Sequence, residues 1–218
     1  MRYQASGAES SAFVKKTILA VLGAVSAAGF GGTAHASGTP AGTSISNTAT
    51  ATYDLPGGGT GTVTSNTVTL KVDELIDVTV AWKDPGDVPG AAGASGQVLS
   101  FTVTNAGNAS GQFALGSIAA LGGDDFDPAV TGVFLDTNGN GVYDAGVDTV
   151  YVPGTNDPTI AADGSTTVFI LSTLPLAAAD GNRGRAQLTA ASKKGTGTPG
   201  TSFAGAGAGG VTAVVGLT

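Results

Sequence analysis

The chain of 218 residues contains no cysteine, one histidine, one methionine and one tryptophan. Without cysteine it forms no disulfide and offers no thiolate to a metal or to a nucleophilic mechanism. Charged residues make up 11% of the chain, and 9 Lys or Arg stand against 16 Asp or Glu. A surface of that sign is repelled by nucleic acid and by anionic membranes, so neither is expected as a partner. Strong helix signals are also scarce. In their place are 36 glycines and abundant Thr, Val and Ala. β-Branched residues suit a pleated surface, and Gly, Asn and Asp mark turns, so the class is all-β.

Near the N-terminus, Lys15 and Lys16 precede the apolar run TILAVLGAVSAAGF, and AHA follows at Ala34 to Ala36. A basic region, a short apolar stretch and an A-x-A site read as a secretory signal peptide over residues 1–36, cleaved after Ala36. The run is too short and too rich in Gly and Ala to span a bilayer comfortably, so the mature chain is expected to carry no transmembrane segment. Cleavage removes His35 and leaves six basic and fifteen acidic side chains. A chain with neither His nor Cys has no Ser-His-Asp or Cys-His nucleophile and no zinc site of the usual ligands. The expected location is secreted or at the cell surface, with stability supplied by a sheet core and by hard cations.

Residues 37–73 read as an N-terminal β-hairpin. In TSISNTATATYD, Ile45, Asn47, Ala49, Ala51 and Tyr53 fall on one face. LPGGGTG breaks that period, and TVTSNTVTLKV resumes it with Val68, Leu70 and Val72 in phase. A lone hairpin is marginal in water, so this one is expected to pair with something. Residues 74–194 read as a second unit. IDVTVAW places Ile76, Val78, Val80 and Trp82 on one face, which assigns the tryptophan to the core. QVLSFTVTNAGN alternates Leu99, Phe101 and Val103, and GQFALGSI, GVFLD, DTVYV, TTVFILSTLP and RGRAQLTAAS follow. Short strands at this spacing, parted by Gly, Asn, Asp and Pro, predict an antiparallel β-sandwich. Residues 195–218 then read as a flexible Gly/Ala/Thr-rich tail carrying a terminal strand in VTAVVGLT. An apolar pattern that runs to the last residue fits either a self-completing strand or a truncated, longer chain.

The pieces AGTSISNTATATY, SNTVTLKVDE and LSFTVTNAGN resemble the conserved-repeat, domain-of-unknown-function family of bacterial surface proteins. The likeness covers roughly residues 41–192, and TVTNAGN at Thr102–Asn108 carries it best. It implies an Ig-like sandwich and an extracellular structural or adhesive role without catalysis.

The stretch DTNGNGVYDAGVD at 136–148 is the main candidate site. Oxygen donors fall at Asp136, Asn138, Asn140 and Asp144, with the Val142 carbonyl between them, Asp148 one residue past the twelfth position and Gly141 at the sixth. Calcium takes six to eight oxygens, and a tight loop converges alternate side chains on one point. An EF-hand needs a carboxylate at the twelfth position, which here is Val147, and the loop is flanked by strands rather than helices. The pattern therefore matches a shorter calcium loop within a β-hairpin. The competing reading is a bare Asn-Gly turn, which leaves the crowding of Asp136, Asp144 and Asp148 unexplained.

Asp124, Asp125 and Asp127 form a second acidic cluster that could bind a cation or lend ligands to the first, but its irregular spacing favours a solvated loop. Asp157 and Asp163 fall in turn signatures. Trp82, Tyr143 and Tyr151 are the candidates for a carbohydrate platform. The functional expectation is a non-enzymatic, exported structural or adhesive module stabilised by Ca2+, with other surface proteins, surface glycans or copies of itself as partners. The alternatives are a carbohydrate-binding module and a self-assembling filament subunit that uses its C-terminal strand.

Overall fold

The computed structural model describes residues 38–216, so the signal-peptide reading of residues 1–36 lies outside the described residues. The fold is all-β. Strands β1 (Ser44–Asn47), β2 (Thr50–Asp54), β3 (Thr60–Thr64) and β4 (Val68–Lys71) come first, followed by β5 (Glu74–Ile76) and β6 (Val78–Trp82). Next are β7 (Gln97–Asn105), β8 (Gly111–Ile118), β9 (Ala129–Leu135), β10 (Thr149–Val150) and β11 (Thr159–Ile160). The chain continues with β12 (Ser165–Thr173), β13 (Gln187–Ser192), β14 (Ser202–Phe203) and β15 (Ala213–Val215). Among the described residues no helix is long and apolar enough to cross a membrane. The chain divides into two compact units, and residues 46–70 form a unit of their own.

That smaller unit is a ribbon. β2 pairs antiparallel with β3, from Thr50 opposite Thr64 to Asp54 opposite Thr60, and β1 pairs with β4. Hydroxyl contacts cross one face, Ser46 to Thr69 at 3.1 Å and Thr48 to Thr67 at 2.9 Å. Gly57, Gly58 and Gly59 at the tip all adopt positive φ, a region that disfavours any residue with a Cβ. The hairpin was expected to pair with another element; among the described residues of its unit the two arms pair with each other.

The larger unit is a β-sandwich. One sheet has the order β10-β9-β12-β7-β6 and the facing sheet β11-β8-β13, with every neighbouring pair antiparallel. The run β6-β7-β12-β9 corresponds to the A-B-E-D sheet of an Ig-like fold, and β8-β13 to its C-F pair. Period-two alternation sends Phe101 and Val103 of β7, Val133 of β9 and Val168 and Ile170 of β12 inward. They meet Phe113 and Leu115 of β8 and Leu188 of β13. β12 is buried on both faces from Val168 to Ser172, which explains why VFILS lacks the polar alternation of a half-exposed strand.

Two sequence expectations need correction. Trp82 is 49% exposed rather than core. Val78 and Val80 of its strand pack on the core, whereas Trp82 stands at the strand end beside a groove, its indole N–H donating to Asp84 at 2.8 Å. The segment expected as a flexible tail is paired from Ser202 onward. β15 runs parallel to β5 and antiparallel to β14, and Val211 and Ala213 are buried. The physical reason is a set of polar ties. Glu74, only 3% exposed, accepts the Lys194 ammonium at 2.5 Å on one oxygen and the Ala208 N–H at 2.6 Å on the other.

The turn after β7 holds the sandwich corner. Asn105, fully enclosed, donates to the carbonyls of Ala109, Ile160 and Ala161, and its own oxygen accepts the Gly107 N–H. Asn108 accepts Leu75 N–H at 2.7 Å and donates to the carbonyls of Thr39 and Asp73. Gly107 fits there because it lacks a side chain: a Cβ would stand 2.2 Å from the Leu75 carbonyl oxygen. Gly107→Ala should therefore lower unfolding free energy by about 3 kcal/mol, the upper end of overpacking penalties. Gly86→Ala, where a Cβ meets nothing within 4 Å, should stay within about 0.5 kcal/mol. Urea unfolding of both variants checks the contrast.

Candidate metal site

The loop between β9 and β10 is built by its own side chains. Asp136 accepts the N–H of Gly139 on one carboxylate oxygen and of Gly141 on the other, both at 2.8 Å. Asn138 accepts Asn140 N–H at 3.2 Å and Asn140 accepts Val142 N–H at 2.8 Å. Each Asn or Asp thus folds the backbone two to five residues ahead of it, the usual behaviour of short polar side chains in turns. Gly139 and Gly141 take positive φ, 71° and 77°, which lets the chain coil this tightly.

The outcome is convergence. The side-chain amides of Asn138 and Asn140 both donate to one oxygen of Asp144, at 2.9 and 2.6 Å. These two bonds, Asn138 first and Asn140 second, hold the Asp144 carboxyl below its ordinary range by stabilising its charged form. Asn138, Asn140 and Asp144 are therefore in direct contact, while Asp136 braces the same loop through the N–H groups of Gly139 and Gly141. The Val142 side chain points to solvent and is 62% exposed. Asp148 is buried and has a different job. Its oxygens accept the N–H groups of Thr137 at 3.0 Å and Asp144 at 2.8 Å, which closes the base of the loop.

An amide oriented nitrogen-first toward Asp144 would have to turn its oxygen inward to bind a cation. The donor set suits calcium: two carboxylates, two amide oxygens and backbone carbonyls are hard ligands. Among the described residues no group of three or more Asp, Glu or His converges, so any cation here relies largely on neutral oxygens. One contributor was invisible in the local sequence. Lys83, from the segment after β6, places its ammonium 3.4 Å from the Gly141 carbonyl and 3.2 Å from Thr167 Oγ1. No spacing rule connects positions 83 and 141; only the fold does.

The loop also covers the outer face of the larger sheet. Tyr143 packs edge-on against Phe134, with ring centres 5.1 Å apart, and against Phe169 at 5.9 Å. Phe169 points away from the sandwich core yet is fully buried, which ties loop order to a second, small apolar cluster.

The remaining candidates separate. Asp124 and Asp125 clamp a neighbouring loop, accepting the N–H groups of Arg185 at 3.0 Å and Arg183 at 2.8 Å. Asp163 sits in a turn with φ 55°. Tyr151 is buried, its hydroxyl accepting Leu115 N–H and donating to Asp157 at 2.6 Å. Trp82, Tyr143 and Tyr151 therefore form no shared platform. Trp82 lines a groove of about 880 Å³ with Val88, Pro89, Phe126 and Leu174.

Comparison of the chain with protein families, with characterised proteins and with solved structures finds no match.

Asp157 supplies a pH-sensitive lock. The Tyr151 hydroxyl, then Gly154 N–H and Lys193, hold its carboxyl down at about 2, against an ordinary 3.8. A folded carboxyl that titrates below its unfolded value stabilises above the unfolded pKa and loses that contribution as pH falls through the folded one. The melting temperature should accordingly fall between about pH 4 and pH 2. In Asp157→Asn that acid slope should be shallower, measured by thermal melts across the same range.

Proposed function

We propose that the chain is a non-enzymatic, exported structural or adhesive surface module whose β9–β10 loop is stabilised by calcium. The observation that carries this reading is the gathering of Asn138 and Asn140 on Asp144 in a glycine-coiled loop that Asp136 braces from its start. A divalent cation in this loop would offset the repulsion between its carboxylates while drawing both amide oxygens inward. With few charged ligands, the affinity belongs at the weak extracellular end, on the order of 10⁻⁴ to 10⁻³ M. Calcium outside a cell reaches that range. Because Tyr143 of the same loop seals Phe169, an ordered loop stiffens the sheet beneath it.

Export is supported by the signal-peptide pattern at residues 1–36, and a surface role by the resemblance carried by TVTNAGN. The alternative of a donated C-terminal strand is weakened by the pairing of β15 with β5 of the same chain. A second reading, glycan binding, is favoured by one observation: Trp82 is half exposed beside a groove lined by both apolar and polar side chains. On that reading, oligosaccharide should quench the tryptophan fluorescence.

Calcium at about 10 mM should raise the melting temperature by several degrees, since a ligand at ten times or more its Kd stabilises by about 1.4 kcal/mol or more. Asp136→Ala and Asp144→Ala should abolish the shift, and Asp127→Ala should leave it intact. Lys83→Gln should enlarge it by removing a positive charge beside the cage. Thermal melts of protein purified from the exported fraction, with calcium and with chelator, check all four outcomes. An identical melt in both conditions excludes the site.

A further inference from the structure

The ribbon of β1 to β4 has two unlike faces. Ser46, Thr48, Thr50, Thr64, Thr67 and Thr69 lie on one, linked pairwise through their hydroxyls. Alternation puts Ile45, Ala49, Ala51, Tyr53, Val63, Val68 and Leu70 on the other, with Asn47 the one polar amide among them. Their large side chains are all open: Ile45 50%, Tyr53 51%, Val63 55%, Val68 56% and Leu70 66% exposed. The two charged residues of the ribbon, Asp54 and Lys71, fall in the phase of the Ser/Thr face, so the apolar face carries no charge.

We propose that this face is a self-association surface, covered by the same face of a second copy packed about a two-fold axis. Three observations select that occupant. The first is need: a two-stranded ribbon with an uncovered apolar face is marginal in water, and contiguous apolar patches of this size mark interaction sites. The second is area. Five half-exposed large side chains with the alanines between them present roughly 600 Å² per copy, so two facing copies bury about 1,200 Å², the threshold of a stable interface. The third is charge. Residues 72–218 hold fourteen acids against five bases, so most surfaces of two copies repel, whereas this neutral face does not. A face that meets its own copy closes as a dimer, because residue i contacts j while j contacts i.

The proposal deepens the structural-module reading by naming a partner, and it stands apart from the calcium loop. Sedimentation velocity on the exported protein from about 5 to 500 μM should show a monomer–dimer equilibrium that chelator leaves unchanged. Val63→Lys should weaken dimerisation by about a hundredfold or more, since it buries an unpaired charge, while its calcium-dependent melt stays that of the parent. Because the chain has no native cysteine, single-cysteine variants read the geometry. Ala49→Cys, midway along the apolar face, should cross-link to itself under mild oxidation, and Thr50→Cys, on the opposite face, should not. A monomer at every concentration, an open-ended polymer, or equal cross-linking from both cysteines overturns the proposal. Loss of the calcium response with the dimer intact would overturn only the calcium reading.

Discussion

The sandwich depends on the turn that ends β7. Asn105 is buried with its amide nitrogen and its oxygen both committed to backbone groups, reaching Ile160 and Ala161 more than fifty residues away. Three positions later Asn108 ties β5 to the segment before the ribbon. A buried amide left without partners costs more than the bond it lost, so such a residue enforces one arrangement of the chains around it. With no cysteine available, this turn and the Glu74–Lys194 pair hold segments that a disulfide would otherwise staple. Gly107 between the two asparagines leaves room for the Leu75 carbonyl, so sequence, turn and packing meet in four residues.

The candidate metal loop hangs from the same sheet and feeds back on it. Asp148 closes its base, the asparagines gather on Asp144, and Tyr143 seals Phe169 on the sheet's outer face. Order in the loop and burial of that phenylalanine are therefore one equilibrium. A cation bound there would act on the sheet without touching the main core, and this is the sense in which the proposed calcium role is structural. Lys83 sets the opposing influence, since its ammonium already serves the Gly141 carbonyl.

Much of the fold was legible because alternation is a local signal. Each run from QVLSFTVTN to RAQLTAAS became a strand, and the buried residues Phe101, Val103 and Leu188 follow from period two. The contacts of Asn138 and Asn140 with Asp144 were legible for the same reason, since their spacing acts within one turn. What local pattern could not convey was where a strand ends relative to the layer above it. Trp82 keeps the phase of Val78 and Val80 yet stands at the strand end beside a groove, so it is exposed. The glycine-rich stretch after Lys194 looked like a tail because composition says nothing of Glu74, which reaches across 134 residues to hold Ala208. Long-range polar ties of this kind, Lys83 included, become visible only in three dimensions.

The most direct measurement is a crystal structure of the protein grown in about 10 mM calcium, with anomalous data collected to locate the ion. Density should appear within the loop, with oxygens of Asp136, Asn138, Asn140 and Asp144 at about 2.3–2.6 Å and both asparagine amides turned oxygen-inward. Asparagine nitrogens still donating to Asp144, with no ion between them, would contradict the account.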